Sequence, residues 1–430
     1  MKKIFHYLLL TVFVLTSCEK GFPGTVKNDS RLLTDWIGLH LQVIRNTTGI
    51  THIAYSRHFA YTGVALYESL ADGFPQYKSI ASRLNGNVQM PVSPKGNSIF
   101  HPAAANAAIA DMLRFFYSAK PANLQSIDSL EQAYHAKFVA GANNNNNLDA
   151  SVAFGKQVAA TVIEWSKQDG AANAATAYTP LGEGYWEPTP AAFAPANVPG
   201  WGNNKTMLPG SIAGTIPGAP IAFSKDPGTP FHTMVNEVYD ISQSLTDVQK
   251  SIALFWDDAP NGKYVTVFGH WFSILKQVLE KEKTPLMKGA EAYLRLGITM
   301  NEAAISCWKT KYTYHLLRPV TYIRKYMGYG DWSPLISTPP HPEYSAAHPT
   351  LSASAGYALE SVFGKNYSFT DHTYVGIGMS PRTFNSFEAA GKEAGISRLY
   401  GGIHYRPTID AGNAQGKKVG ANVLSILRTH

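Results

Sequence analysis

Outside residues 171–230 the apolar residues from Ser30 to the C-terminus recur at helical spacing, and strand-like alternation is nearly absent. A helix with one apolar stripe must hide it against another helix, so a chain patterned this way is driven toward a bundle. SRLLTDWIGLHLQVIRNT opens the series, with Ser30 as its expected cap. THIAYSRHFAYTGVALYESLADG follows and stops at Gly73. HPAAANAAIADMLRFFYSA, LQSIDSLEQAYHAKFVA and ASVAFGKQVAATVIEWSKQ are three further helices, the last two separated by a solvated loop of asparagines, 143–147. Helices resume near Thr246, where LTDVQKSIALFW sets Leu245, Val248, Ile252 and Phe255 or Trp256 on one stripe. VFGHWFSILKQVLEK comes next, then a long helix from Leu286 to Arg318 closed by Pro319. The expected fold class is all-α, a large bundle of roughly ten or more helices. The 430 residues, 45% of them hydrophobic, are ample for one large core, and a single domain over 30–430 is the expectation.

Residues 171–230 break the pattern. Ten of the 26 prolines lie there, with many glycines and no period. Long irregular segments inside compact proteins are usually functional or disordered. The aromatic residues Tyr178, Tyr185, Trp186, Phe193, Trp201 and Phe223 favour an ordered strap laid over the body, an insertion and not a linker.

The first residues read as a targeting segment. Lys2 and Lys3 precede an apolar run too short to span a bilayer, as in a signal peptide. LTSC, ending at Cys18, resembles a bacterial lipobox. That resemblance implies cleavage after residue 17, lipid on Cys18, a linker over 18–29 and a body exported and tethered to a membrane by the lipid alone. Cys307 would then be the remaining thiol, and an intrachain disulfide is ruled out. Loss of residues 1–17 removes Lys2 and Lys3 and no acid, so the formal charge falls from +7 to +5. A charge that small suits anionic small molecules and is too diffuse to argue for nucleic acid.

Three segments within 305–412 concentrate chemistry. In KTKYTYHLLRP, Lys311 and Arg318 are seven residues apart, so both cations and His315 fall on one helical face with no acidic partner among them. Such a face suits an oxyanion, and also a solvated surface. In HPEYSAAHPT, Pro349 suits the first position of a helix, which places His348 at its N-terminus. Unpaired N–H groups gather there, and small Ala346 and Ala347 let an anion approach the backbone; a plain helix cap is the alternative. In ISRLYGGIHYRPTIDAG, Arg398 and His404 flank Gly401 and Gly402. Pro407 then opens a helix whose Gly412, Gly416 and Gly420 line one side for close packing. HPE at 341–343 and DD at 257–258 have no partners that the sequence identifies, and no HExxH or paired-cysteine zinc pattern occurs.

Taken in order, Lys-x6-Arg-Pro, a histidine at a helix start and Ser-Arg-x5-His resemble the signature of the vanadium-dependent haloperoxidase and type 2 phosphatidic acid phosphatase superfamily. RHFAYTGVALYE, HPAAANAA, FGHWFSI, RPVTYIR, PPHPEY and SRLYGGIHYR resemble its bacterial haloperoxidase branch. The resemblance runs from about residue 50 to the end. It implies a tetrahedral oxyanion held by Lys311, Arg318, Arg398 and the Ala347 N–H, with His404 bonded to its central atom: ligand of vanadium if vanadate, nucleophile if a phosphoryl group. His348 is implied as the general acid–base.

Two positions depart from the family pattern. Its serine falls at Ala346, a lost donor worth on the order of 1–2 kcal/mol. The acid often found four residues after the ligand histidine is replaced by Thr408, while Asp410 sits about 240° round the helix from His404. Thr408 and Asp410 are the two residues considered for orienting His404. Vanadate-dependent oxidation of iodide or bromide by hydrogen peroxide is the leading expectation. Phosphomonoester hydrolysis through phospho-His404, needing no cofactor, is the alternative, and a non-catalytic surface lipoprotein with a degenerate cage is the third.

Overall fold

The computed structural model describes residues 29–94, 99–141, 146–259 and 261–430. The expected signal peptide, Cys18 and most of the expected linker lie outside the described residues. Among the described residues five helices come first: α1 (Arg31–Arg45), α2 (Tyr55–Ala71), α3 (His101–Phe116), α4 (Pro121–Gly141) and α5 (Asn146–Ser166). After the irregular segment come α6 (Pro230–Gln243), α7 (Asp247–Phe255), α8 (Thr266–Glu282) and α9 (Leu286–Tyr314). The last four are α10 (Pro319–Tyr326), α11 (Ala347–Phe363), α12 (Phe387–Tyr400) and α13 (Arg406–Ile426). One small antiparallel sheet, β1 (Phe369–Asp371) with β2 (Arg382–Phe384), pairs Phe369 with Phe384. The fold is mostly α.

Several local expectations need correction. Ser30 stands at the N-cap of α1, but its side chain makes no capping bond. Asn146 and Asn147 belong to α5 and not to a loop. Helix α6 lies where no helix was expected: Thr229 caps it through its side chain and Pro230 takes its first position. The stripe on α7 is only half right. Phe255 and Trp256 are buried, but Val248 is 66% exposed, because a capping box between Thr246 and Gln249 starts this helix at the surface.

Helices α2 and α9 run through the interior; in α2 every residue except Arg57 is buried. They approach backbone to backbone: a β-carbon on Gly297 would lie 3.0 Å from the Ala60 Cα. Helices α11 and α13 do the same through the glycine stripe. A β-carbon on Gly412 would sit 2.7 Å from the Ala346 carbonyl, and one on Gly416 would run into that of Thr350. The apolar interior forms two clusters, a large one and a smaller one built from α6, α10 and the starts of α11 and α13. Ala347 and Leu351 belong to the first, Ala346 and Tyr405 to the second, so α11 begins at the seam between them.

The irregular segment is fastened across this seam. The Asn197 N–H donates to the Pro340 carbonyl (2.8 Å), and Trp308 and Tyr312 donate to the Asn197 carbonyl. No helix among the described residues is long and apolar enough to cross a membrane.

Candidate active site

Helix α9 does not run on to Pro319. It ends at Tyr314, and His315 turns left-handed at φ 50°. Arg318 is extended (φ −82°, ψ 154°) and stands at the N-cap of α10. The two cations therefore do not share a helical face, and the expected geometry is corrected. The reason lies in the strap: Trp186 N–H donates to the His315 carbonyl (2.6 Å), and Tyr185 bridges to Leu316. Those backbone groups are pulled out of the helical ladder. The His315 ring packs on Tyr178 and Tyr312 instead of joining the cations.

The break still brings Lys311 and Arg318 to one place, both fully buried. Lys311 Nζ donates to the carbonyls of Pro342 (2.8 Å) and Glu343 (2.9 Å). Arg318 Nε donates to the His341 carbonyl (3.0 Å), and Nη2 to His341 Nδ1 (3.0 Å). Its Nη1 donates to the Ile403 carbonyl (2.9 Å) and to His404 Nε2 (3.1 Å). That last bond needs a lone pair on Nε2. The proton of His404 is accordingly on Nδ1, which donates to Glu343 Oε1 at 2.6 Å. The same oxygen accepts from Thr408 Oγ1 (2.5 Å) and the Tyr405 N–H (3.1 Å). Among the described residues Glu343 Oε2 has no partner.

A second histidine faces the same space. Helix α11 begins at Ala347, two residues before Pro349, so His348 lies in its first turn. His348 Nε2 is 3.2 Å from Asp258 Oδ2. Asp258 follows α7 in a left-handed conformation (φ 53°), which is uncommon for a residue with a side chain. Arg398, in the last turn of α12, donates through Nη1 to the Trp256 carbonyl (2.8 Å). Its Nε finds no partner among the described residues.

His348, His404, Arg398, Ala347 and Asp258 line one cavity of about 500 Å³. His52, His341 and Asn197 of the strap line it too, with Val267, Phe268, Trp308 and Leu351 as an apolar wall. Lys311 and Arg318 stand behind this surface, in contact with residues 341–343 and His404.

Burial sets the charges. It pulls the Lys311 ammonium down to about 7 and the Arg318 and Arg398 guanidinium groups to about 10, so both arginines stay cationic. Burial, then Arg318, Lys311 and Arg398, hold His404 well below the usual histidine range, as a neutral imidazole. Burial and Arg398 bring His348 down to about 4, against the pull of Asp258. Burial pushes Glu343 up to about 7 although Thr408, Arg318 and Lys311 favour its charged form. A buried lone pair ringed by cations and an unused guanidinium N–H suits an oxyanion that accepts hydrogen bonds and offers a central atom to nitrogen.

Three functional candidates escaped the sequence reading: Glu343, Asp258 and His341. Glu343 and His341 belong to HPE, and Asp258 to DD, the two phrases that had lacked partners. Their partners lie 61 residues away for Glu343 and 90 for Asp258, so no spacing pattern joins them. Of the two residues considered for orienting His404, Thr408 acts on Glu343 and not on the ring, and Asp410 is exposed on the outer side of α13.

A helical body with buried cations gathered on a neutral imidazole is an arrangement suited to an oxyanion, and the comparisons name the family. A family model described as the second helical-bundle domain of VCPO matches residues 291–430. A bacterial vanadium-dependent iodoperoxidase crystal structure superposes with TM-score 0.86 and 33% identity, covering 94% of this chain and 97% of that one. A bacterial vanadium-dependent chloroperoxidase in its holo form gives TM-score 0.63 at 17% identity, covering 87% and 91%. Its apo form gives 0.63 at 16%, covering 87% and 92%. These last two share the fold. No curated protein sequence matches the chain. The chain belongs to the vanadium haloperoxidase superfamily.

Proposed function

We propose that this protein is a vanadate-dependent haloperoxidase that oxidises iodide or bromide with hydrogen peroxide, in the balance H2O2 + X⁻ + H⁺ → HOX + H2O. The observation that carries the reading is the His404 ring. Its Nδ1–H is fixed on Glu343 and its Nε2 lone pair faces Arg318, while the charges of Lys311 and Arg398 also favour the neutral ring. That donor set fits vanadate: His404 Nε2 would ligate vanadium, and Lys311, Arg318, Arg398 and the Ala347 N–H would hold its oxygens. Vanadate, when bound, supplies the Lewis-acidic centre for peroxide and halide chemistry.

The chain's own groups do the rest. Glu343 keeps the proton on Nδ1 and leaves Nε2 basic, the usual role of a carboxylate behind a ligating histidine. Lys311, Arg318 and Arg398 neutralise oxyanion charge without reorganising, because burial and carbonyl contacts already fix them. His348, neutral and tied through Nε2 to Asp258, takes the proton of incoming peroxide on its free nitrogen and returns it to the departing oxygen. Asp258 fixes its tautomer. The lipid tether and export remain part of this proposal through Cys18, as does the single domain over 30–430.

The test is orthovanadate titration of metal-free protein, followed by iodide and bromide oxidation assays. Stoichiometric vanadate with turnover of either halide supports the reading. Stoichiometric vanadate without turnover of any halide ends it, and phosphatase turnover lost in His404→Ala would put phosphomonoester hydrolysis in its place.

A further inference from the structure

Behind Asp258 lies a buried relay that the anion cage does not need. His270, on α8, has Nδ1 2.8 Å from Asp258 Oδ1 and Nε2 2.8 Å from Asp371 Oδ2. All three side chains are fully buried. A neutral imidazole has one N–H, and its second nitrogen would set a lone pair against a carboxylate at 2.8 Å. An imidazolium donates to both. Trp256 stacks on the ring at 4.3 Å, a face that favours a cation.

The far end is fixed as well. Asp371 Oδ1 accepts from the Thr373 N–H (2.9 Å) and Thr373 Oγ1 (2.6 Å). At the near end Tyr374 donates to Asp258 Oδ1 at 2.5 Å. The two oxygens of Asp258 are thus divided: Oδ1 is committed to His270 and Tyr374, and Oδ2 is presented to His348.

We propose that His270, held as an imidazolium between Asp258 and Asp371, is a positioning residue for His348: it aims Asp258 Oδ2 at His348 and cancels the carboxylate charge that would otherwise protonate it. This rests on the acid–base role given to His348 above. The charges facing the pair come from every side. Asp257 and Asp258 lie on the α7–α8 connection, Arg398 on α12 and His52 on the turn before α2. Asp371 ends β1, Tyr374 lies beyond it, and Tyr264 lies before α8. Their balance agrees with the geometry. Burial opposes charge on His270, yet Asp258 and Asp371 raise it to about 10. Burial likewise opposes charge on Asp258, yet His270 and His348 hold it well below the carboxylate range.

The experiment is nitrogen NMR of full-length protein carrying ¹⁵N-histidine, without vanadate, compared with His270→Gln. In the unsubstituted protein His270 is expected doubly protonated near neutral pH, with His348 neutral and protonated on Nε2. In His270→Gln the His348 pKa is expected to rise by about one unit. Vanadate binding, which reports an intact fold, is expected to stay within about threefold, while kcat falls roughly 10–100-fold and its acid limb moves up in pH. Asp371→Asn gives the same shift at smaller size. A neutral His270 in the unsubstituted protein, or an unmoved His348 in a vanadate-binding His270→Gln, overturns the proposal. If no halide is turned over, the NMR shifts alone decide it, and only the haloperoxidase reading falls.

Discussion

Two histidines face one cavity, and each leans on a carboxylate, yet the two pairs are built differently. Glu343 gives a single oxygen to His404, Thr408 and the Tyr405 N–H, and leaves its other oxygen without a partner among the described residues. Asp258 engages both oxygens, one on His348 and one on His270 and Tyr374. Glu343 is pushed up to about 7 by burial, while Asp258 is held well below its ordinary range. The difference teaches that a carboxylate near an imidazole is not one device. Beside buried cations it fixes the His404 tautomer and leaves the Nε2 lone pair to face Arg318. Backed by a counter-charge, it fixes a base without charging it.

The largest effects should separate the two ends. His404→Ala is expected to lose vanadate binding and turnover together. His348→Ala should bind vanadate within a few-fold and lose about 10²–10⁴ in kcat. Equal loss of binding in both variants would merge the two ends into one.

Next come the carboxylates. Glu343→Gln is expected to weaken vanadate affinity by about 10–100-fold, and Asp258→Asn to lower kcat by a similar factor with affinity little changed. Equilibrium titration and steady-state rates read them apart. If both substitutions act on affinity, the division of labour is wrong.

Stability should show the relay through pH. His270 is raised above its ordinary 6.5 to about 10, so its contribution is full below 6.5 and is lost as pH rises through about 10. The melting-temperature gap between the unsubstituted protein and His270→Gln should therefore shrink across that window. A gap constant with pH would mean that His270 is not charged in the folded state.

The smallest effect is Thr408→Val. It removes one donor to a Glu343 oxygen that keeps two others, about 1 kcal/mol and under tenfold in vanadate affinity. A loss as large as that of Glu343→Gln would move the orienting role from the carboxylate to the hydroxyl.

How much of this was legible follows a physical line. The bundle was readable because burial stamps a period on each helix, and Lys311, Arg318, His348, Arg398 and His404 were readable because short spacings recur as a signature. Glu343 and Asp258 act only across the fold, and a contact between segments leaves no mark on local spacing. The end of α9 was misplaced because Pro319 looked like its terminator, while the strap's pairing at His315 and Leu316 breaks the helix earlier. Helix α6 was hidden by proline count, although Thr229-Pro230 is a proper helix start.

The glycine stripe of α13 has a further consequence. His348 sits in the first turn of α11, and His404 lies two residues before α13, so the two helices carry the two histidines. Because these helices meet at backbone atoms, the gauge between the histidines is set by main chain, and a side chain added at Gly412 or Gly416 would force it wider. The apolar wall comes from Val267 and Phe268 on α8, Trp308 on α9 and Leu351 on α11. Three of those four residues lie off the two helices that carry the histidines, so selection, natural or in the laboratory, can recut most of what the cavity admits while the spacing of the two histidines is inherited intact.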